Sequence, residues 1–218
     1  MCLLPFCVRQ DRIHGTNAWK GTVTIMADIK IILASGSPRR HELLLQAGIA
    51  HEVRPVGVDE TLPCGITPDG AVESLSKKKA AAGAEAHLAH GGIVIAADTL
   101  VASGDEIFGK PRDREDAHRM LRAMSGTHHR VLTGVCVTDG ERTVSAVEET
   151  LVFMRELSDD EIYGYIDNYP PYDKAGAYGI QDAAARFVCR IEGDFSNVVG
   201  LPICRTVLML RELAGDGI

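Results

Sequence analysis

The chain has 218 residues, 45% of them hydrophobic and 24% charged, so it can bury a core and has the composition of a globular protein. Its 30 acidic residues outnumber 23 basic ones and leave a net charge of −7. This balance argues against a nucleic-acid partner, although a local basic pocket could still hold a small phosphorylated ligand. No apolar run approaches the roughly 20 residues that span a bilayer, so no membrane partner is expected.

The six cysteines are scattered along the chain. None forms a C-x-x-C motif, and no histidine lies at a zinc-like spacing from one of them. We interpret them as reduced thiols, which are typical of a cytoplasmic protein.

Residues 1–25 differ from the rest of the chain. They contain one short apolar patch and no regular period, and neither the basic start nor the cleavage site of a signal peptide is clear. Three basic residues against one acidic residue leave a mitochondrial presequence open as an alternative. We favour a disordered extension over 1–25, followed by one domain with two lobes over 26–218.

The first predicted elements are a strand, a polar loop and a helix. Residues 30–34 (KIILA) are apolar and rich in β-branched side chains, which predicts a strand. Ser37 then suits the N-cap of a helix, Pro38 its first turn, and Gly48 its C-terminal cap.

A long helix follows a second strand that we predict over residues 51–58. Thr67-Pro68-Asp69 is a helix start, and the alanine-rich pattern extends the helix to about residue 90. Lys79 falls on its apolar stripe, whereas Lys77 and Lys78 point outward. Spacing alone leaves two interpretations of Lys79 open, since its ammonium group could reach solvent at the stripe's edge or point into a cleft.

The middle of the chain predicts a central strand and a hairpin. Residues 92–97 (GIVIAA) form a continuous apolar run that suits a strand covered on both faces, and we expect Asp98 to end it. Residues 100–102 and 107–108 flank a turn and predict a hairpin.

Six later elements complete the predicted pattern. In chain order, we predict a helix from Asp113 closed by Gly126, strands over 129–138 and 143–154, a helix over 158–169, a strand over 186–191, and a helix from Pro202 to about residue 213. Strands and helices alternate early and hairpins dominate later. The expected fold class is therefore α/β, with a mixed sheet and two lobes around a central cleft.

The loop at residues 35–40 (SGSPRR) suits an anion. A helix N-terminus presents free N–H groups and the positive end of the helix dipole, and Ser35 and Ser37 are candidate contacts in the loop before it. Arg39 and Arg40 add donors that match phosphate oxygens. A simple helix cap with two solvated arginines is the alternative, and the residues leave both open.

Asp98 is a second candidate. A carboxylate at the carboxyl end of a buried strand lies where α/β sheets bind ligands, and it could hold Mg²⁺ or act as a general base on water. The alternative is a turn or helix cap.

Residues 104–110 (GDEIFGK) match the P-loop pattern G-x-x-x-x-G-K. However, Pro111 replaces the Mg²⁺-binding Ser or Thr, so we reject a P-loop and keep Lys110 as a candidate phosphate contact.

Seven short strings stand in the order and spacing found in Maf proteins, so the chain resembles this family of nucleoside triphosphate pyrophosphatases. The strings are SGSPRR (35–40), DE (59–60), AADT (96–99), FGKPRD (108–113), SGTHHRVLTGV (125–135), DKAGAYGIQ (173–181) and VVGLP (198–202). The resemblance covers residues 28–213. It implies an elongated twisted mixed β-sheet with flanking helices, similar to the inosine triphosphate pyrophosphatases. It also implies conversion of an NTP and water to an NMP and pyrophosphate with Mg²⁺ or Mn²⁺, and a homodimer, since family members are often dimers.

The resemblance also implies catalytic roles. Asp98 matches the family's catalytic acidic residue, usually the proton acceptor, and Glu60 fits as a carboxylate on the metal side. These two are therefore the expected metal ligands. Arg40, Lys79 and Lys110 match polyphosphate contacts, whose charges would stabilise the transferred phosphoryl group and the leaving pyrophosphate.

Three further residues indicate the substrate. Arg39, Thr99 and Gln181 match the branch that resembles dTTP/UTP pyrophosphatases, whereas the branch that resembles 7-methyl-GTP pyrophosphatases has Trp, Gln and Glu there. An amide can donate and accept, which suits the edge of uracil or thymine. We therefore expect hydrolysis of dTTP and UTP. The alternatives are a nucleotide-binding regulator of septum formation without turnover, and a pyrophosphatase that prefers purine nucleotides or 7-methyl-GTP.

Overall fold

A computed structural model describes residues 29–89, 91–104 and 106–215, so the predicted extension over 1–25 lies outside the described residues. The elements are β1 (Ile31–Leu33), α1 (Pro38–Gln46), β2 (Glu52–Val53), α2 (Pro68–His87), β3 (Ile93–Ser103), β4 (Glu106–Phe108), α3 (Arg114–Met124), β5 (His128–Thr138), β6 (Thr143–Met154), α4 (Asp159–Asn168), β7 (Val188–Glu192), α5 (Phe195–Val199) and α6 (Ile203–Ala214). Two 3₁₀ turns, Ala175–Ala177 and Ala183–Phe187, precede β7. No helix within the described ranges is long and apolar enough to cross a membrane.

Seven strands form one mixed sheet. Their order is β2-β1-β3-β5-β6-β7, and β4 pairs with β3 beside this path. The β1 strand is parallel to β2 and β3, and all other pairs are antiparallel. Apolar side chains on both faces are buried against helices. The chain therefore has the predicted α/β fold, a twisted mixed sheet with flanking helices.

One edge of β3 is interrupted. On that edge β1 pairs with residues 93–95 and β4 pairs with residues 101–103, whereas β5 pairs with 94–102 on the other edge. Residues 96–100 thus have no strand partner on the first edge. The prediction that Asp98 ends the strand is wrong, because the unbroken ladder with β5 carries β3 past Asp98 for 11 residues in all. We call residues 96–100, which lack a partner strand on that side, the open edge of β3.

The α2 helix lies very close to the sheet, because two glycines leave it room. A Cβ atom on Gly134 of β5 would lie 2.2 Å from the carbonyl oxygen of Val72. A Cβ atom on Gly83 of α2 would lie 2.9 Å from Cγ1 of Val94. The helix therefore rests directly on β3 and β5, which brings Lys79 over β3.

Several element boundaries differ from the sequence predictions. The strand predicted over 51–58 is limited to Glu52–Val53, since both residues are exposed and only Arg54 adds a further hydrogen bond to β1. The strand predicted from residue 186 begins at 188, because the 3₁₀ turn Ala183–Phe187 occupies its first positions. The short α5 helix was not predicted. The other predicted elements are present, with ends shifted by up to three residues.

Candidate active site

Lys79 projects from α2 to the open edge of β3 and contacts two carboxylates. Its Nζ atom lies 2.6 Å from Oδ1 of Asp98 and 2.7 Å from Oε1 of Glu60. The side chains of Lys79 and Asp98 are only 14% and 17% exposed, whereas Glu60, in the segment before α2, is 63% exposed. The hydrogen bond from Lys79 lowers the pKa of Glu60 and keeps it ionised. Of the two interpretations of Lys79, the structure shows the one in which it points inward.

Asp98 and Glu60 provide oxygen ligands of the kind that a divalent cation binds. Both oxygens contact a single nitrogen atom, so they point towards one position that a cation could occupy. Among the described residues, no three His, Cys, Asp or Glu side chains form a metal-binding group. Two carboxylates completed by water and substrate phosphates suit Mg²⁺ or Mn²⁺, so this donor set fits such an ion.

Arg40 is held by three uncharged acceptors. Its Nε donates to the carbonyl oxygen of Gly200 at 2.8 Å, and its Nη1 and Nη2 donate to the hydroxyls of Ser35 and Thr99 at 3.0 Å each. Burial lowers the pKa of Arg40 to about 10, although the nearby Asp98 opposes that shift. The guanidinium therefore stays charged at neutral pH. Because its three acceptors are neutral, its charge is available to an anion.

The side chains of the loop between β1 and α1 do not cap the α1 helix. Ser37 occupies the N-cap of α1, as predicted, but its side chain makes no capping hydrogen bond. Its backbone N–H donates to the hydroxyl of Ser35 at 3.3 Å. Since Arg40 is bonded to the same hydroxyl, the loop and the arginine form one positive surface, unlike a cap with solvated arginines.

Thr99 anchors Arg40 to the interior of the sheet. Its hydroxyl lies 2.9 Å from that of Thr133 on β5, which in turn donates to the backbone carbonyl of Asn197 on α5. Asn197 is fully buried and donates to the carbonyl of Val131. Sequence reasoning missed Thr133 and Asn197, because their role depends on α5 lying beside β5. The only sequence signal for them was that Thr133 lies in the matched string 125–135 and Asn197 directly precedes the string 198–202.

The cluster around Lys79 and the cluster around Arg40 meet at the open edge of β3. Neighbouring strand residues point to opposite faces, so Asp98 faces α2 while Thr99 faces α1 and α5. Arg40 donates to the hydroxyl of Thr99, the residue that follows Asp98, so the two groups lie close together. Lys110 is exposed just after β4. The hydrogen bond from Lys79 is the main cause of the lowered pKa of Glu60, and the charge of Lys110 lowers it further.

Arg39 and Gln181 lie outside these contacts. The Nη1 atom of Arg39 donates to Oδ2 of Asp173 at 2.9 Å, a partner that sequence reasoning did not identify. Gln181 is exposed and makes no hydrogen bond with another described residue. The structure therefore joins Arg39 to the segment that contains Gln181, but it shows no direct contact between the two side chains.

Two surface cavities lie away from these residues. One of about 550 Å³ is lined by α2 and the β5–β6 turn. The other, of about 350 Å³, is lined by α6, one residue of β6 and the segment between β7 and α5. Neither is lined by a predicted site residue. The candidate site is therefore defined by the ionic contacts at the open edge of β3 and not by either cavity.

Comparison with known proteins gives matches along most of the chain. Residues 30–213 match the family described as Maf-like protein. The dTTP/UTP pyrophosphatase of Citrifermentans bemidjiense is 47% identical over 194 residues, which cover 88% of this chain and 100% of that protein. That of Anaeromyxobacter dehalogenans (strain 2CP-C) is 47% identical over 186 residues, 84% of this chain and 93% of that protein. Among solved structures, the Staphylococcus aureus Ham1 protein aligns with 14% identity and a TM-score of 0.46, over 85% of this chain and 97% of that one.

Proposed function

Because the chain belongs to the family of Maf-like proteins, we propose that it is a nucleoside triphosphate pyrophosphatase that hydrolyses dTTP and UTP to the monophosphate and pyrophosphate. Relatives that share 47% identity over nearly their whole length are named dTTP/UTP pyrophosphatases. One observation carries the proposal. The carboxylates of Asp98 and Glu60 share Lys79 beside the positively charged Arg40, at an open strand edge.

The positive groups bind the triphosphate. Arg40 is fixed by three hydrogen bonds, so its remaining N–H groups have a set direction and lose little entropy on binding phosphate oxygens. The loop residues Ser35 and Ser37 add backbone and hydroxyl donors at the N-terminus of α1. Lys110, which is exposed just after β4, supplies a charge for the leaving pyrophosphate. Thr99 acts by holding Arg40, since its hydroxyl is already bonded on both sides.

Asp98 is the group that accepts a proton from the attacking water. Its carboxylate is mostly buried, lies on the side of β3 that α2 covers, and is held in place by Lys79. Lys79 in turn balances the negative charge of Asp98 and Glu60, which would otherwise repel the triphosphate. Attack at the α-phosphorus then yields the monophosphate and releases pyrophosphate.

Asp98 and Glu60 also offer a place for a divalent cation. Asp98 and Glu60 would hold it, and when bound it supplies positive charge to the phosphate oxygens. The Lys79 ammonium contacts the same two carboxylates, so Lys79 and a bound cation would compete for them.

Pyrophosphate release from a panel of nucleotides tests the proposal. The protein is incubated with Mg²⁺ or Mn²⁺ and dTTP, UTP, CTP, ITP or 7-methyl-GTP, and pyrophosphate is measured over time. We expect the fastest release from dTTP and UTP. No release from any nucleotide would contradict the enzyme, and the fastest release from 7-methyl-GTP would contradict the pyrimidine preference.

A further inference from the structure

Asp173 joins the two segments that carry Arg39 and Gln181. Its Oδ2 accepts from Nη1 of Arg39 at 2.9 Å, and its Oδ1 accepts from Nζ of Lys174 at 2.8 Å. The side chain of Lys174 is only 16% exposed, and its Nζ also lies 3.4 Å from Oδ2 of Asp182. Four charges of alternating sign thus run from the first turn of α1 to the residue that follows Gln181.

Gly179 lets this row of charges stay compact. A Cβ atom there would lie 2.5 Å from Oδ2 of Asp182 and 2.9 Å from Cε of Lys174. The backbone N–H of Asp182 also donates to the carbonyl of Gly179 at 3.0 Å. Residues 173–182 are therefore a closed turn held through Lys174, and Asp173 is its ionic link to α1.

The ion pair makes Arg39 a different kind of ligand from Arg40. Burial raises the pKa of Asp173, but the hydrogen bonds from Lys174 and Arg39 outweigh it and bring the pKa to about 2. Asp173 therefore neutralises Arg39 at every pH near neutrality, whereas Arg40 has three neutral acceptors. A neutralised guanidinium attracts a triphosphate weakly, but its unused N–H groups still donate to uncharged oxygens.

The structure assigns Asp173 as a positioning residue for base recognition, which holds Arg39 so that its unused N–H groups meet a carbonyl oxygen of the nucleobase. This inference rests on the proposed function. Uracil and thymine carry a carbonyl oxygen where cytosine carries an amino group, so a fixed N–H donor favours uracil and thymine. Without Asp173, Arg39 is free to turn towards the phosphates and the segment around Gln181 loses its link to α1.

Binding of UMP and CMP tests this role without any turnover. Calorimetric titration gives the two dissociation constants for the wild type, Asp173→Asn and Asp173→Glu. We expect the wild type to prefer UMP, and Asp173→Asn to lower that preference by about tenfold, through weaker binding of UMP alone. Asp173→Glu should restore part of it. The matched control is Asp160→Asn, because the Asp160 side chain is exposed on α4 and makes no hydrogen bond or ion pair with a described residue, and it should leave the preference unchanged.

The outcomes separate this inference from the proposed function. An equal loss of UMP and CMP affinity in Asp173→Asn would mean that Asp173 only maintains the fold, and would overturn the inference. An unchanged preference in that variant, or a wild type that binds UMP and CMP equally, would also overturn it. Either result together with pyrophosphate release from UTP would leave the proposed function intact. A lost preference without any pyrophosphate release would support the role of Asp173 and contradict the enzyme.

Discussion

Replacement of Gly134 by alanine should weaken both the fold and the active site. The new Cβ atom would lie 2.2 Å from the carbonyl oxygen of Val72, 2.5 Å from its carbonyl carbon, and 2.9 Å from the backbone nitrogen of Glu73. All three are backbone atoms, so no side-chain rotation relieves the clash. The α2 helix must move away from β5 by more than an ångström to reach ordinary contact at about 3.4 Å.

The size of the effect follows from this displacement. Overpacking of this kind costs about 1–3 kcal/mol of unfolding free energy, and a loss of about 2 kcal/mol lowers the Tm of a chain of this size by roughly 4–8 °C. Lys79 lies on the same helix, so its contact with Asp98 is displaced as well. A misplacement of about 1 Å can lower turnover by roughly 10²-fold, and we expect kcat to fall towards that limit.

Thermal unfolding and steady-state kinetics of two variants test this reasoning. Gly164→Ala is the matched control, since a Cβ atom at Gly164 in α4 would meet no atom within 4 Å. Alanine there should raise the free energy of unfolding by about 0.5–1 kcal/mol and leave kcat unchanged. A Tm for Gly134→Ala equal to or above that of the wild type would refute the close approach of α2 to β5.

The remaining predictions concern the charged groups. Asp98→Asn should lower kcat by about 10²–10⁴-fold while UTP still binds, as measured by single-turnover release of pyrophosphate and by calorimetry; unchanged turnover would show that Asp98 is not the base. Lys79→Met should raise the pKa of Glu60 towards its ordinary value. It should also tighten Mn²⁺ binding in the absence of nucleotide, as measured by electron paramagnetic resonance. Weaker Mn²⁺ binding would contradict the inference that Lys79 and the cation use the same carboxylates. Burial lowers the pKa of His129 to about 4, so the folded state binds fewer protons than the unfolded one between about pH 4 and 6.5. The contribution of His129 to stability is thus complete above that window and falls by roughly 3 kcal/mol as the pH drops through it. His129→Gln should flatten the dependence of Tm on pH, whereas an unchanged dependence would assign it to other groups.

Local signals predicted the elements whose cause lies within a few residues. Pro38 and Ser37 mark the start of α1, and the capping box of Ser158 and Glu161 marks the start of α4. Lys79 was placed on the inner face of α2 by helix geometry alone, and its contacts agree. In each case the required information is carried by neighbouring residues, so one sequence is sufficient.

Other features depend on partners that are distant in the sequence. An aspartate after an apolar run usually ends a strand, but Asp98 is tolerated because β5 pairs beyond it and Lys79 covers it. The α5 helix has only five residues, too few to show a helical period. The pair of Arg39 and Asp173 joins residues 134 positions apart, which no local pattern reveals.

The products of UTP hydrolysis test the central claim most directly. Wild-type protein with Mg²⁺ is incubated with UTP in ¹⁸O-labelled water, and phosphorus NMR identifies the products and the labelled phosphate. We predict equal amounts of UMP and pyrophosphate, with the label on UMP, because water attacks the α-phosphorus beside Asp98. Formation of UDP and inorganic phosphate, or label in the pyrophosphate, would contradict the account.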